Sequence, residues 1–284
     1  MTHRPFRLAR TALIAAAACA TLGAAQAAVV HVANTNGNAP ADIQASVDAF
    51  RAQLGALNAN APVNNAGGRR EINWDGVPDN RADPNLLPGD FFNGAVAGRA
   101  RGITFSTPGQ GLLVSARASS GLPIAFGYPT EFVAFSAERM FSPLGSVVTD
   151  VRFFLPADQV TAASSLGFGA VFEDVESANT TMLQFFDSSE TLLHSIAVAA
   201  GANGSLSFAG AVFDSAQVAR VRITAGDAVL TASGQYGPGL DGVVMDDFIY
   251  GEPTRRQGVP EPGALGLLAA ALAGMAWVGR RRRG

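Results

Sequence analysis

The sequence predicts an all-β fold, a jelly-roll-like sandwich of two antiparallel sheets, and three observations carry that prediction. From residue 69 to residue 250 the chain is a succession of short runs rich in Val, Ile, Phe and Thr, separated by Gly, Pro, Asn, Asp and Ser. Within one run, Ala219, Val221 and Ile223 alternate with Arg220 and Arg222, the period of a strand buried on one face only. The chain has no lysine, and its one cysteine, Cys19, lies near the N-terminus, so neither disulfides nor thiolate metal sites can hold the remainder together. Stability has to come from an apolar core. The 225 residues from Ala28 to Glu252 suffice for one large β domain.

Residues 1–27 read as a removable signal peptide. Arg4, Arg7 and Arg10 form its positive region, residues 11–23 its apolar region, and Ala25-Gln26-Ala27 the small-x-small pattern of signal peptidase, with cleavage before Ala28. Ala16 stands three positions before Cys19 where a lipoprotein usually has Leu, which argues against lipidation.

Residues 28–68 form an N-terminal helix and linker, with His31 in a stretch expected to be disordered. Ile43, Val47, Phe50 and Leu54, spaced four, three and four, make the stripe of an amphipathic helix over residues 40–55, and Gly55 is its stop. Residues 56–68 are rich in Asn, Ala and Gly, contain Pro62 and lack periodicity, so they read as a loop or mobile linker held by few contacts.

The sandwich is expected over residues 69–252, with strands at 102–106, 111–116, 131–135, 147–154, 167–175, 180–186, 191–198, 205–213, 218–224 and 243–250. Asp187, Ser188, Ser189 and Glu190 supply turn chemistry for a hairpin between two of them. A two-sheet jelly roll manages the exposed edges that a flat sheet of this width would present.

Residues 253–284 have a different character. Pro260-Glu261-Pro262 is followed by seventeen uncharged residues, 263–279, and then by Arg280, Arg281, Arg282 and Arg283. As a transmembrane helix that run reaches about 25 Å, short of a hydrocarbon core by an amount snorkelling arginines can cover. The arginine cluster stays on the cytoplasmic side, so the body of the protein is exported.

This order of triplet, helix and arginines resembles the PEP-CTERM sorting signal of Gram-negative bacteria. The resemblance implies that Pro260, Glu261 and Pro262 are recognised by a membrane-embedded exosortase, with Arg280 to Arg283 as stop-transfer residues. It implies an inner-membrane-anchored precursor processed near the triplet, then a place on the cell surface or in an extracellular matrix associated with exopolysaccharide and biofilm. An ordinary, unprocessed C-terminal anchor is the alternative. Several passages also resemble an uncharacterised group of secreted bacterial β-sandwich proteins that often carry this tail: residues 70–78, 87–93, 167–175 and 245–251. That likeness implies a fold and a compartment and brings no activity.

Both terminal segments conceal the charge of the domain. Between Ala28 and Pro253 eleven arginines face twenty-two carboxylates, a net charge of −11, whereas the whole chain carries −3. Such a surface disfavours nucleic acid and anionic membrane surfaces as partners and leaves room for cations.

Candidate chemistry is sparse. His194 is the only histidine in the expected strands, where it reads as a solvent-face residue; no G-x-S-x-G elbow or Gly-rich phosphate loop opens a helix, so no catalytic residue is assigned and the protein is read as a non-enzyme. Paired acids on a jelly roll can hydrolyse glycosides, and Glu173 and Asp174 against Asp246 and Asp247 are the candidates. Neighbours along a regular strand point to opposite faces, so each pair offers one acid to any face.

The same residues could bind a hard cation: Glu173, Asp174, Glu176 and Asn179, joined by Asp246 or Asp247, form a candidate Ca²⁺ site, with Asp75, Asp79, Asn80 and Asp83 a second. The competing reading is that these acids are turn formers on an acidic surface. Sugar stacking would need exposed rings, and Trp74, Tyr128, Tyr236 and Tyr250 are the candidates, with a packed Trp74 the plainer reading. The reading reached is a structural or adhesive surface protein, with a calcium-dependent carbohydrate-binding module and a polysaccharide-active enzyme as alternatives.

Overall fold

The computed structural model describes residues 28–231 and 236–256. In chain order it contains β1 (Val29–Gly37), α1 (Pro40–Leu54), β2 (Arg69–Ile72), β3 (Ile103–Ser106), β4 (Gly111–Val114), β5 (Phe141–Leu144), β6 (Val148–Phe153), β7 (Ala163–Ser164), β8 (Gly167–Glu173), β9 (Met182–Phe186), β10 (Leu192–Ala197), β11 (Leu206–Phe213), β12 (Arg220–Thr224), β13 (Val244–Gly251) and β14 (Thr254–Arg255).

One sheet has the order β1-β11-β8-β13-β5-β4, with β2 also pairing β13; the other runs β10-β9-β12-β6-β3; and β7 pairs β14 alone. Eight of these strands give the jelly-roll arrangement, β5-β13-β8-β11 in one sheet and β6-β12-β9-β10 in the other, with the chain stepping repeatedly between sheets. The sheets remain open and form no closed barrel.

The main core lies between the sheets, where Phe168, Phe172, Phe213, Met245 and Phe248 of the larger sheet meet Val151, Phe153, Leu183, Phe185, Val221 and Ile223 of the smaller. At one end Trp74 stacks on Phe141, ring centroids 4.3 Å apart, with the edges of Phe92 and Phe248 against it. The larger sheet is also covered from outside. Ile43, Val47, Phe50 and Leu54 of α1 pack on Val171, Phe208, Val212 and Ile249, each contributing about 1.5–3 kcal/mol by full burial. Beside the helix, Leu113, Phe126, Tyr128, Phe132 and Met140 cover Val244. Consequently β8, β11 and β13 are buried at every position.

Glycine makes the helix contact possible. Gly169 and Gly210 face each other across β8 and β11. A Cβ on Gly210 would fall 2.8 Å from the Phe50 ring and 2.7 Å from Gly169 Cα. The helix begins on Pro40, the Asp42 carboxylate accepts the amides of Asn38 and Ala39, and Gly55 ends it at φ 90°.

Several expectations change. The stretch around His31 is a nine-residue edge strand paired with β11, because its residues find a complementary ladder from Gly37↔Leu206 to Val29↔Phe213. Residues 56–68 are tethered rather than loosely held. Arg70 and Glu252, both fully buried, pair at 2.6 Å; Arg70 also donates to the carbonyls of Ala59, Val63 and Ala100, and Glu252 accepts Asn58 and Asn65.

Residues 131–135 are no strand but part of the cover over the larger sheet. The strands β1, β2, β5, β7 and β14 were not anticipated, whereas the β9–β10 hairpin and the alternation in β12 appear as expected. Among the described residues no helix is long and apolar enough to cross a membrane. The signal peptide, the triplet Pro260-Glu261-Pro262, the run 263–279 and Arg280 to Arg283 lie outside the described residues.

The smaller sheet keeps one face in solvent. Asp150 bridges Arg220 at 2.8 Å and Arg222 at 2.7 Å, and Arg220 lies over the Phe186 ring at 3.8 Å. Burial pushes the Asp150 carboxyl up, but hydrogen bonds and charge from Arg222 and Arg220 outweigh it and hold its pKa below the usual 3.8.

Two outcomes are expected. Gly210→Ala should cost about 1–3 kcal/mol in urea unfolding by crowding Phe50, and combining it with Phe50→Ala should cost less than the two single losses together; a neutral Gly210→Ala would contradict this packing. Asp150→Asn should cost about 0.5–1 kcal/mol at neutral pH, its ion pairs being solvent-screened. Because a depressed carboxylate pKa stabilises the fold above the unfolded value, the difference from wild type should close as pH falls below 3.8.

Candidate functional site

The acids singled out by the sequence divide into two groups. Glu173 ends β8 opposite Val244, and register shifts in the β8–β13 ladder between Met245↔Phe172 and Phe248↔Ala170. Asp246 and Asp247 therefore stand opposite a single residue, a β-bulge. The bulge overturns the expectation that neighbouring acids must point to opposite faces. Ser136 Oγ lies 3.1 Å from Asp246 Oδ1 and 2.7 Å from Asp247 Oδ1, so one hydroxyl reaches both carboxylates.

The cover segment supplies more donors. The amides of Phe135 and Ser136 donate to Asp246 Oδ2 at 2.8 and 2.9 Å, while the Trp74 indole N–H donates to the Asp246 carbonyl at 2.8 Å. From α1, Arg51 approaches Asp247 Oδ2 at 3.3 Å, but it is shared with Glu71 at 2.9 Å and Asp48 at 3.2 Å. Neither carboxylate oxygen of Glu173, which has no exposed surface, has a hydrogen bond of its own; the Phe135 amide, given to Asp246, is near enough only to oppose the rise of its pKa.

The electrostatic consequence follows. Burial, and then the Asp246 charge, push the Glu173 carboxyl well above the usual carboxylate range. Burial and the Asp247 charge do the same to Asp246, and burial raises Asp247. The group is also shut off from bulk solvent: Glu173 and Asp246 are fully covered and Asp247 is 4% exposed.

Asp174, Glu176 and Asn179 do not join this group. Asp174, at φ 68°, accepts the Gly204 amide at 2.6 Å, and burial foremost raises its pKa to about 6. Glu176 and Asn179 are exposed, on a segment capped by buried Asp241, which accepts the amides of Glu176 and Ser177. Asp75, Asp79, Asn80 and Asp83 do not converge either. Asp75 caps the amides of Glu138 and Arg139, and Asp79 pairs with Arg117 and Arg139. Among the described residues no three Asp, Glu, His or Cys side chains meet as a ready metal centre.

The rings offer no platform where the sequence placed one. Trp74 and Tyr250 are fully buried, and Tyr128 packs on Tyr236 with ring centroids 5.4 Å apart. His194 is half-buried on β10, and that burial lowers its pKa. A recess of about 580 Å³ beside residues 64–68 contains Glu252, whose oxygens are taken by Arg70, Asn58 and Asn65. Arg51, Ser136 and Asp241 were missed by sequence reasoning. Nothing local marks the first two, whereas Asp241, in Pro238-Gly239-Leu240-Asp241-Gly242, carries a turn signature.

Residues 258–283 match the family described as the PEP-CTERM protein-sorting motif. The motif implies exosortase processing of an exported, membrane-anchored precursor. No curated protein and no solved structure matches the chain.

Ser136→Ala deletes the only hydroxyl shared by Asp246 and Asp247 while keeping the backbone amides. A loss of about 1–3 kcal/mol in urea unfolding is expected, since a buried carboxylate is left short of a donor. A loss below about 0.5 kcal/mol, the range of an ordinary surface substitution, would show that the hydroxyl does not hold this corner together.

Proposed function

We propose that the jelly roll is the working part of a non-catalytic cell-surface or extracellular-matrix protein, handled by signal peptidase and exosortase and making structural or adhesive contacts within exopolysaccharide of a biofilm. The observation that carries this reading is the sorting motif at residues 258–283, joined to an acidic domain whose paired acids are enclosed. A glycosidase needs two carboxylates that reach its substrate from opposite sides. Glu173 and Asp246 lie beneath α1 and the cover segment with no accessible surface, which supports a non-catalytic role. A carbohydrate-binding module would draw instead on the open face of the smaller sheet, where Arg152 and Arg222, each nearly half exposed, provide planar groups able to hydrogen-bond a sugar acid.

Envelope fractionation with mass spectrometry of the mature C-terminus, in wild type and in a strain lacking exosortase, tests the reading. Wild type should yield a chain ending near Pro260-Glu261-Pro262 outside the inner membrane. The mutant strain should retain the Arg283-Gly284 end in that membrane. An intact end in wild type would make the tail a permanent anchor.

A further inference from the structure

The corner formed by Glu173, Asp246 and Asp247 has an unresolved charge, and three observations define it. Asp247 is met by Arg51, although Arg51 and its neighbour Arg69 also serve Glu71 and Asp48. Asp246 receives two amide N–H groups on Oδ2, which stabilise it as an anion without neutralising it. Neither Glu173 oxygen has a hydrogen bond of its own, although the side chain is fully buried next to Asp246; the Phe135 amide near it is already given to Asp246.

Hydrogen counting at Ser136 adds a further constraint. Its hydroxyl has one hydrogen, and the shorter contact, 2.7 Å to Asp247 Oδ1, is where that hydrogen belongs. The 3.1 Å contact to Asp246 Oδ1 then sets lone pair against lone pair. A proton or a cation on the Asp246 Oδ1 side would relieve that contact, and the Glu173 carboxyl lies within reach of Asp246. Protons would neutralise this pair at the cost of both its charges, and a single shared proton would leave one charge to the two amides on Asp246. A divalent cation balances both.

We propose that Glu173 and Asp246 bind one hard divalent cation, of which calcium is the fitting example, with Ser136 Oγ as a neutral oxygen beside it and Asp247 held back by Arg51. The two carboxylates and the Ser136 hydroxyl are all oxygen ligands, which is the set a hard cation takes. Two carboxylates rather than three supply the charge, and the rest of a shell of roughly six to eight oxygens comes from carbonyls or water. The ion ties the end of β8 to the bulge of β13 and to the cover segment at residues 135–136, so its role is structural and rests on none of the sorting chemistry. It also narrows the six residues read from the sequence to two, because Asp174, Glu176 and Asn179 are turned elsewhere and Asp247 is held by Arg51.

Trp74 provides the probe, since its indole is hydrogen-bonded to the Asp246 carbonyl at 2.8 Å. The full chain, in detergent and freed of metal with chelator, is titrated with terbium while tryptophan is excited. Sensitised terbium emission saturating at one ion per chain, displaced by calcium, is expected, together with a higher melting midpoint in calcium than in chelator. Glu173→Gln and Asp246→Asn should abolish the emission, while Glu176→Gln, on the exposed segment, should leave it unchanged.

Absence of emission together with an unmoved midpoint in the wild-type chain would overturn the proposal in favour of a shared proton. That reading needs no variant to fold. Emission that survives Glu173→Gln but falls with Glu176→Gln would overturn it in favour of the outer acids.

Discussion

Burial of the seven-stranded sheet on both faces is the constraint from which the rest of the structure follows. The sandwich core occupies one side, and α1 with the segment around residues 125–140 occupies the other, so every residue of β8, β11 and β13 is buried. Such strands have to be apolar nearly throughout, and any polar side chain in them needs a partner within the protein. The glycine pair at 169 and 210 belongs to the same constraint, because a helix carrying Phe50 can approach the sheet closely only where side chains are missing.

Arg70 and Glu252 show how a buried charge is accommodated when its partners are complete. Each is surrounded by enough donors or acceptors to replace water, and the pair ties residues 56–68 to β2 and to the residue that follows β13. The Glu173–Asp246 corner is the contrasting case within the same sheet. Its acids are equally dry, its donors are too few, and the nearest guanidinium is shared with other carboxylates. The smaller sheet, open on one face, places its charges where solvent and mutual pairing support them. Acidity in this protein thus serves two purposes, solvation outside and a fastening point inside.

Legibility from sequence followed the range of the interactions. The stripe of α1, the β9–β10 turn and the alternation of β12 depend on residues within a few positions of each other, and all three were readable. β1 was missed because its polar Asn34, Thr35 and Asn36 resemble a tail until β11 pairs with them, and β5 is only four residues long with Pro143 inside it, too short and too interrupted to show a strand pattern. The bulge at Asp246 and Asp247 depends on how many residues the neighbouring strand sets opposite, which is not a property of β13 alone. Ser136 lies 110 residues before Asp246, and no local pattern joins them.

By itself the sequence determined the β class, the amphipathic helix, the acidity of the domain and the sorting motif at its C-terminal end, since each is written in composition, period or a contiguous motif. Only the tertiary structure decided which acids meet. Glu173 and Asp246 face each other because a bulge turns one strand and a covering segment closes over both, whereas Asp174, adjacent to Glu173 in the chain, is turned to Gly204. Contiguity in the chain sets composition, but proximity of charge is set by strand register and by what excludes water.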